Sequence, residues 1–134
     1  MLANREVIMS YVSRFNAGDL EGLRELFTPD AEVQGVLGWG KVADVMPIWQ
    51  QLVAGLNMQL EVLDLISEGS KVAVRYRETG VSVAPFFEKP ATGRSYELLA
   101  MEWFELKEGK IHRRWGARDA TSQARQLGWE PILN

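Results

Sequence analysis

At 134 residues, with 46% hydrophobic and 25% charged side chains, the chain has the size and make-up of one ordinary globular domain. Its 15 basic residues against 18 acidic ones leave a net charge of −3, the wrong sign for gripping a phosphate backbone, so nucleic acid is not expected as a partner. With no cysteine and a single histidine, His112, the chain lacks disulfides, thiolate metal sites and the imidazoles on which zinc sites and Ser/His/Asp relays depend.

In chain order, Val7, Ile8, Tyr11, Val12 and Phe15 share one helical face behind the candidate cap Asn4, and the helix is expected to end near Gly18. Asp19 can cap a second helix whose stripe is Leu20, Leu23, Leu26 and Phe27. Thr28-Pro29-Asp30 reads as a turn, Ala31 to Leu37 as a short strand, and Gly38-Trp39-Gly40 as a tight loop. From Val42, the positions Val45, Met46, Trp49, Leu52 and Val53 return to helical spacing, with a kink or split expected at Pro47.

The second half changes character. Met58 to Ile66, Lys71 to Val83, Tyr96 to Leu106 and Ile111 to Asp119 are rich in alternating or β-branched residues and read as four strands. The turns at 67–70 and 107–110 make hairpins, Ala84 to Arg94 forms a longer loop, and a last helix over Ala120 to Leu127 stops at Gly128. Helices followed by a run of antiparallel strands is an α+β order, predicting a curved sheet wrapped over the helices and one domain over residues 1–134. No charged-then-apolar leader opens the sequence and no apolar run approaches the roughly 18 residues of a membrane span, so a cytoplasmic protein with no membrane partner is expected.

The pieces Phe15-Asn16-Ala17-Gly18-Asp19, Pro29-Asp30-Ala31, Pro90-Ala91-Thr92-Gly93-Arg94, Gly109-Lys110-Ile111, Trp115, Asp119 and Gln126-Leu127-Gly128 together resemble the SnoaL-like polyketide cyclases. The resemblance runs over nearly the whole chain, and the Thr-Gly-Arg loop and the Asp-to-Gln-Leu-Gly ending are its most specific parts. It implies the cone of the nuclear-transport-factor-2-like fold, with N-terminal helices in the concave face of a mostly antiparallel sheet, a pocket between them and a homodimer formed through the sheet. It also implies cofactor-free chemistry on a small apolar, polyketide-like carbonyl compound by aldol-type ring closure, with an acid where Asp119 stands. The pocket histidine that those cyclases carry on the preceding strand has no counterpart between Ser95 and Leu106.

Two readings of Asp119 stand side by side. Unbroken alternation puts Ile111, Arg113, Trp115, Ala117 and Asp119 on one strand face, which would aim the carboxylate into an apolar pocket as a general acid/base. Asp119 also directly precedes a helix, where an aspartate commonly accepts backbone N–H bonds. Enolate-stabilising donors would be drawn from Tyr11, Trp39 and Arg75, against the plainer expectations of a core tyrosine and a solvated or paired arginine. Glu102 shares parity with Tyr96, Leu98, Ala100, Phe104 and Leu106, one acid on an apolar face and a candidate partner for Asp119. The opposite assignment buries Leu99, Met101 and Trp103 instead, and a sheet apolar on both faces implies a second subunit. His112, Arg113, Arg114 and Arg118 are expected to form salt bridges with acids such as Glu97 and Glu105. Of the five tryptophans, Trp39 and Trp115 are the two expected at the pocket. Gly35, Gly38 and Gly40 lack the spacing of a phosphate-binding loop. A pocket that binds without catalysis, and a purely structural dimerisation module, are the competing classes.

Overall fold

Helix α1 (Asn4–Asn16) buries Val7, Ile8, Tyr11, Val12 and Phe15, the five residues that its periodicity singles out. The residue before it is Ala3, not Asn4: the Glu6 carboxylate accepts the Ala3 N–H at 3.1 Å, while the Asn4 amide donates across to the Gly69 carbonyl. Asp19 caps α2 (Leu20–Arg24) by accepting the Gly22 N–H at 2.9 Å. The computed structural model describes residues 3–35 and 38–129, so Val36 and Leu37, the end of the predicted first strand, lie outside the described residues.

Strand β1 (Phe27–Gly35) starts earlier than predicted and runs through Thr28-Pro29-Asp30. Its parallel register with the last strand breaks between Phe27 and Glu32, so Pro29, which has no N–H for a ladder, falls in the unpaired stretch. The predicted Gly38-Trp39-Gly40 loop is instead strand β2 (Gly38–Lys41), with Trp39 opposite Gln34 of β1. Helix α3 (Val42–Leu56) continues through Pro47 without a split. Both Pro47 and Ala43, whose carbonyl loses its helical donor there, are exposed, and water can satisfy that carbonyl.

Strands β3 (Gln59–Glu68), β4 (Lys71–Val81), β5 (Ser95–Lys107) and β6 (Lys110–Arg118) complete one curved six-stranded sheet in the order β2-β1-β6-β5-β4-β3, antiparallel except for β1 with β6. The β5–β6 hairpin turns on Glu108-Gly109 with φ of 53° and 79°, the two left-handed residues of a tight primed turn. Helix α4 (Ala120–Leu127) follows, and α1 and α3 pack on one face of the sheet.

Faces follow from register. On β4 and β5 the even-numbered residues point to the helices: Val72, Val74, Tyr76 and Glu78, with Tyr96, Leu98, Ala100, Glu102, Phe104 and Leu106, are all buried. Leu99, Met101 and Trp103 point outward and are about half exposed, which decides the β5 assignment that the sequence left open. On β6 the alternation is broken. Glu105 faces Arg113 but Leu106 faces Ile111, so His112 is an extra residue, a bulge that shifts the strand's parity by one. Ile111 is therefore inside, Arg113, Trp115 and Ala117 lie outside opposite Glu105, Trp103 and Met101, and Arg114, Gly116 and Arg118 lie inside opposite Phe104, Glu102 and Ala100.

Candidate functional site: two buried carboxylates under the helices

The inner face of β4, β5 and β6 carries two glutamates where apolar residues would be routine. Glu102 is 8% exposed and takes three donors: the Tyr11 hydroxyl at 2.9 Å, the Tyr76 hydroxyl at 2.7 Å and Arg114 Nε at 2.5 Å. Glu78 is fully buried and takes the Tyr96 hydroxyl at 2.6 Å, Arg118 Nε at 3.0 Å and also Arg118 Nη2. Arg114 further donates to the Gln34 carbonyl at 3.2 Å and Arg118 to Gln123 Oε1 at 3.4 Å. Removing either charge from water costs several kcal/mol, of order, and only dense pairing of this kind makes it tolerable.

Local sequence explains how the arginines fit. A Cβ on Gly116 would lie 2.9 Å from Arg114 Cζ and 3.0 Å from both its terminal nitrogens, so the missing side chain is the space in which the guanidinium lies. All three tyrosines of the chain serve these two acids. Burial, then the neighbouring glutamate charge, pushes the Tyr11, Tyr76 and Tyr96 hydroxyls well above the ordinary phenol range, keeping them as donors. For Arg114 and Arg118 burial works against the charge, but the paired glutamate outweighs it and both are held above the ordinary guanidinium value.

Glu102 with Tyr11, Tyr76 and Arg114, and Glu78 with Arg118, line one partly open pocket of about 50 Å³, whose apolar wall includes Phe15, Trp49, Leu52, Met58 and Leu60. At about 30 Å³ per water, that volume holds one or two waters. A larger groove of about 510 Å³ lies outside, against Ile66, Arg75, Met101, Trp103 and Trp115.

Against this geometry the sequence candidates separate. Tyr11 and Glu102 meet in the pocket, hydrogen-bonded to each other. Asp119 is exposed, accepts the Ser122 N–H at 2.9 Å as the cap of α4 and is not among the pocket residues; the parity that would have aimed it inward is undone by the bulge at His112. The same shift puts Trp115 on the outer face, where it meets Trp39 edge-on with ring centroids 5.5 Å apart. Trp39 is 48% exposed, with Arg113 over its ring, and Trp49 is the tryptophan at the pocket. Arg75 is exposed on the outer face, in register with Met101 and Asp64. The expected basic cluster divides: His112 sits 3.7 Å from Asp30, Arg113 pairs with Glu32 at 3.2 Å, and Arg114 and Arg118 turn inward, while Glu105 and Glu97 pair with Lys71 and Arg77.

Sequence reasoning passed over Glu78, Tyr76, Tyr96, Gln123 and the inward role of Arg114 and Arg118. Glu78 carried a usable signal, an acid in parity with Val72, Val74 and Tyr76, the same signal that singled out Glu102. Among the described residues no group of three or more His, Asp or Glu could hold a metal ion, and no helix is long and apolar enough to cross a membrane.

A family profile described as SnoaL-like polyketide cyclase matches residues 5–127. Among solved structures, IdmH of Streptomyces antibioticus, a candidate polyketide cyclase, is 28% identical over 95% of this chain and 99% of its own, with a TM-score of 0.82. AclR of Streptomyces galilaeus, a candidate hydroxylase, superposes with a TM-score of 0.87 at 21% identity over 98% of this chain and 84% of its own. A candidate SnoaL-like cyclase from Jannaschia sp. CCS1 reaches 0.84 at 20% identity over 96% and 93%. No curated protein matches the chain. With the profile spanning almost all of the sequence, the chain belongs to the SnoaL-like polyketide cyclase family.

Proposed function

We propose that the chain is a cofactor-free enzyme that acts on a small, largely apolar, polyketide-like carbonyl compound by acid/base catalysis, an aldol-type cyclisation or an isomerisation, in the pocket around Glu102. The observation that carries this reading is the convergence of one buried carboxylate, two tyrosine hydroxyls and a guanidinium on an apolar-walled cavity. Such a constellation suits chemistry next to a carbonyl. The reading has the substrate oxygen draw the Tyr11 and Tyr76 hydroxyls, which otherwise donate to Glu102, to itself. The released Glu102 then takes the α-proton, and the same hydroxyls, with the Arg114 charge behind them, stabilise the enolate. In ring closure the enolate carbon bonds to a second carbonyl carbon of the same molecule, and the alkoxide takes back the proton. Asp119, exposed and committed to α4, has no part in this scheme.

A ring-sized substrate needs several times the present cavity. Unbranched, adaptable Met58 and the neighbouring Leu52 and Leu60 form the wall that would yield. Saturation of Glu102 by three protein donors favours a second reading, a pocket that binds such a molecule without converting it. Aryl β-keto esters bearing a second carbonyl, incubated with the protein and followed by chromatography, separate the two. Formation of the cyclised isomer by wild type and its loss in Glu102→Gln supports catalysis; binding with no conversion supports the second reading. The exposed outward stripe Leu99, Met101 and Trp103 supports, as part of the same proposal, a homodimer formed through the outer face of the sheet.

A further inference from the structure

The proposed chemistry gives no part to the second charged pair of the pocket, Glu78 and Arg118, although both line it. At this end the Glu78 side chain is sealed and Tyr96 and Gln123 are 3% and 4% exposed, whereas the Arg118 side chain keeps 23% of its surface accessible. Arg118 is therefore the polar group that this end of the wall offers to a small molecule. A guanidinium carries five N–H donors in one plane. Nε and Nη2 donate to the two Glu78 oxygens, Nη1 reaches Gln123 Oε1 at 3.4 Å, and the Tyr96 oxygen is the one further acceptor beside them among the described residues. Four acceptors for five donors leave at least one Arg118 N–H unclaimed there. A pair that served only to fill the core could be replaced by apolar side chains at little or no loss.

We infer that Arg118, held in place by Glu78, is a second polar subsite that donates to an oxygen of the bound molecule, so that the pocket selects a compound oxygenated at both ends of an apolar body. This inference rests on the proposed pocket reading but not on any catalytic step in it. Glu78, which fixes the guanidinium, faces Leu98, four residues along β5 from Glu102, which puts the two polar poles about 13 Å apart along the backbone. The Tyr76 and Ala100 pair lies between them, and Leu52, Met58 and Leu60 supply apolar wall to the same pocket. An oxygen so far from Glu102 is remote from any bond that forms there; anchoring it fixes which carbon of the molecule stands at the Glu102 carboxylate. A singly oxygenated molecule engages one pole and leaves the Arg118 N–H unused, and one with a carbonyl at each end engages both.

The test uses 2,6-diacetylnaphthalene and 2-acetylnaphthalene as probes, titrated calorimetrically into wild type and into the paired variant Glu78→Leu with Arg118→Met, which removes both charges together and strands neither. Wild type is expected to bind the diacetyl probe about tenfold more tightly, the worth of one hydrogen bond to a charged group. The paired variant is expected to bind both probes alike, with the affinity of the monoacetyl probe unchanged. Equal binding of both probes by wild type, or a preference that survives in the paired variant, overturns this inference and leaves the pocket reading standing. Binding of neither probe by wild type sinks the pocket reading and the inference with it. A second measurement needs no variant and decides the matter even where the paired variant fails to fold. In the infrared spectrum of the diacetyl probe bound to wild type, both carbonyl stretches should move below the position of an unbonded aryl ketone. One carbonyl left at the unbonded position would mean that Arg118 receives nothing, and the inference falls.

Discussion

The two faces of strand β5 invert the usual rule that charge faces water and apolar surface faces the core. At its middle, Glu102 is buried under the helices while its neighbours Met101 and Trp103 are 49% and 44% exposed. Neither fact is costly by accident. Inside, the charge persists because Tyr11, Tyr76 and Arg114 surround it, an arrangement that a purely structural core would replace with apolar packing at little or no loss. Outside, the contiguous apolar stripe is the surface that the proposed homodimer would cover. The inner anomaly is the basis of the proposed ligand site and the outer one of the proposed homodimer.

The largest effect expected is at the inner face. Glu102→Ala, which strands the Arg114 charge, should cost about 3–5 kcal/mol in urea denaturation, whereas the paired replacement Glu102→Leu with Arg114→Met should recover most of it. Little loss in Glu102→Ala would mean that the cluster is far wetter than its burial indicates.

The tyrosines sharpen the same point through pH. Their folded-state values are raised, so each favours the fold fully below the unfolded phenol value near 10 and withdraws that support as pH rises above it. Absorbance at the phenolate wavelength should stay flat above pH 10 until all three ionise together in one unfolding transition. A gradual three-proton titration of the folded protein would contradict it. On the outer face, Trp103→Glu should weaken self-association at least about 30-fold, a hot-spot loss of roughly 2 kcal/mol, read by sedimentation velocity with the monomer still folded. The smallest change is at the cap, where Asp119→Ala should cost about 1 kcal/mol of stability and leave ligand affinity unaltered.

Much of this was legible in the sequence. The stripe of α1 named its five buried residues, and strand parity marked Glu102 as an acid on one of two apolar faces of β5, leaving open which of them is buried. The resemblance carried by the Thr-Gly-Arg and Gln-Leu-Gly pieces led to the family. What stayed hidden turns on one residue. Nothing in Ile111-His112-Arg113 announces a bulge, yet it exchanges the faces of everything after it, bringing Arg114 and Arg118 inside and carrying Trp115 out. Asp119 satisfied two local rules at once, and only the position of the pocket chooses between them. Trp39 was displaced for a different reason, since a glycine-flanked tryptophan reads as a loop until β1 supplies the strand that pairs with it.

The most direct test of the account compares Glu102→Gln and Asp119→Asn for affinity toward 2-acetylnaphthalene by calorimetry, with circular dichroism confirming that both variants fold. A loss of tenfold or more in Glu102→Gln with Asp119→Asn unchanged is the predicted result, and unchanged affinity in Glu102→Gln with a comparable loss in Asp119→Asn would contradict it.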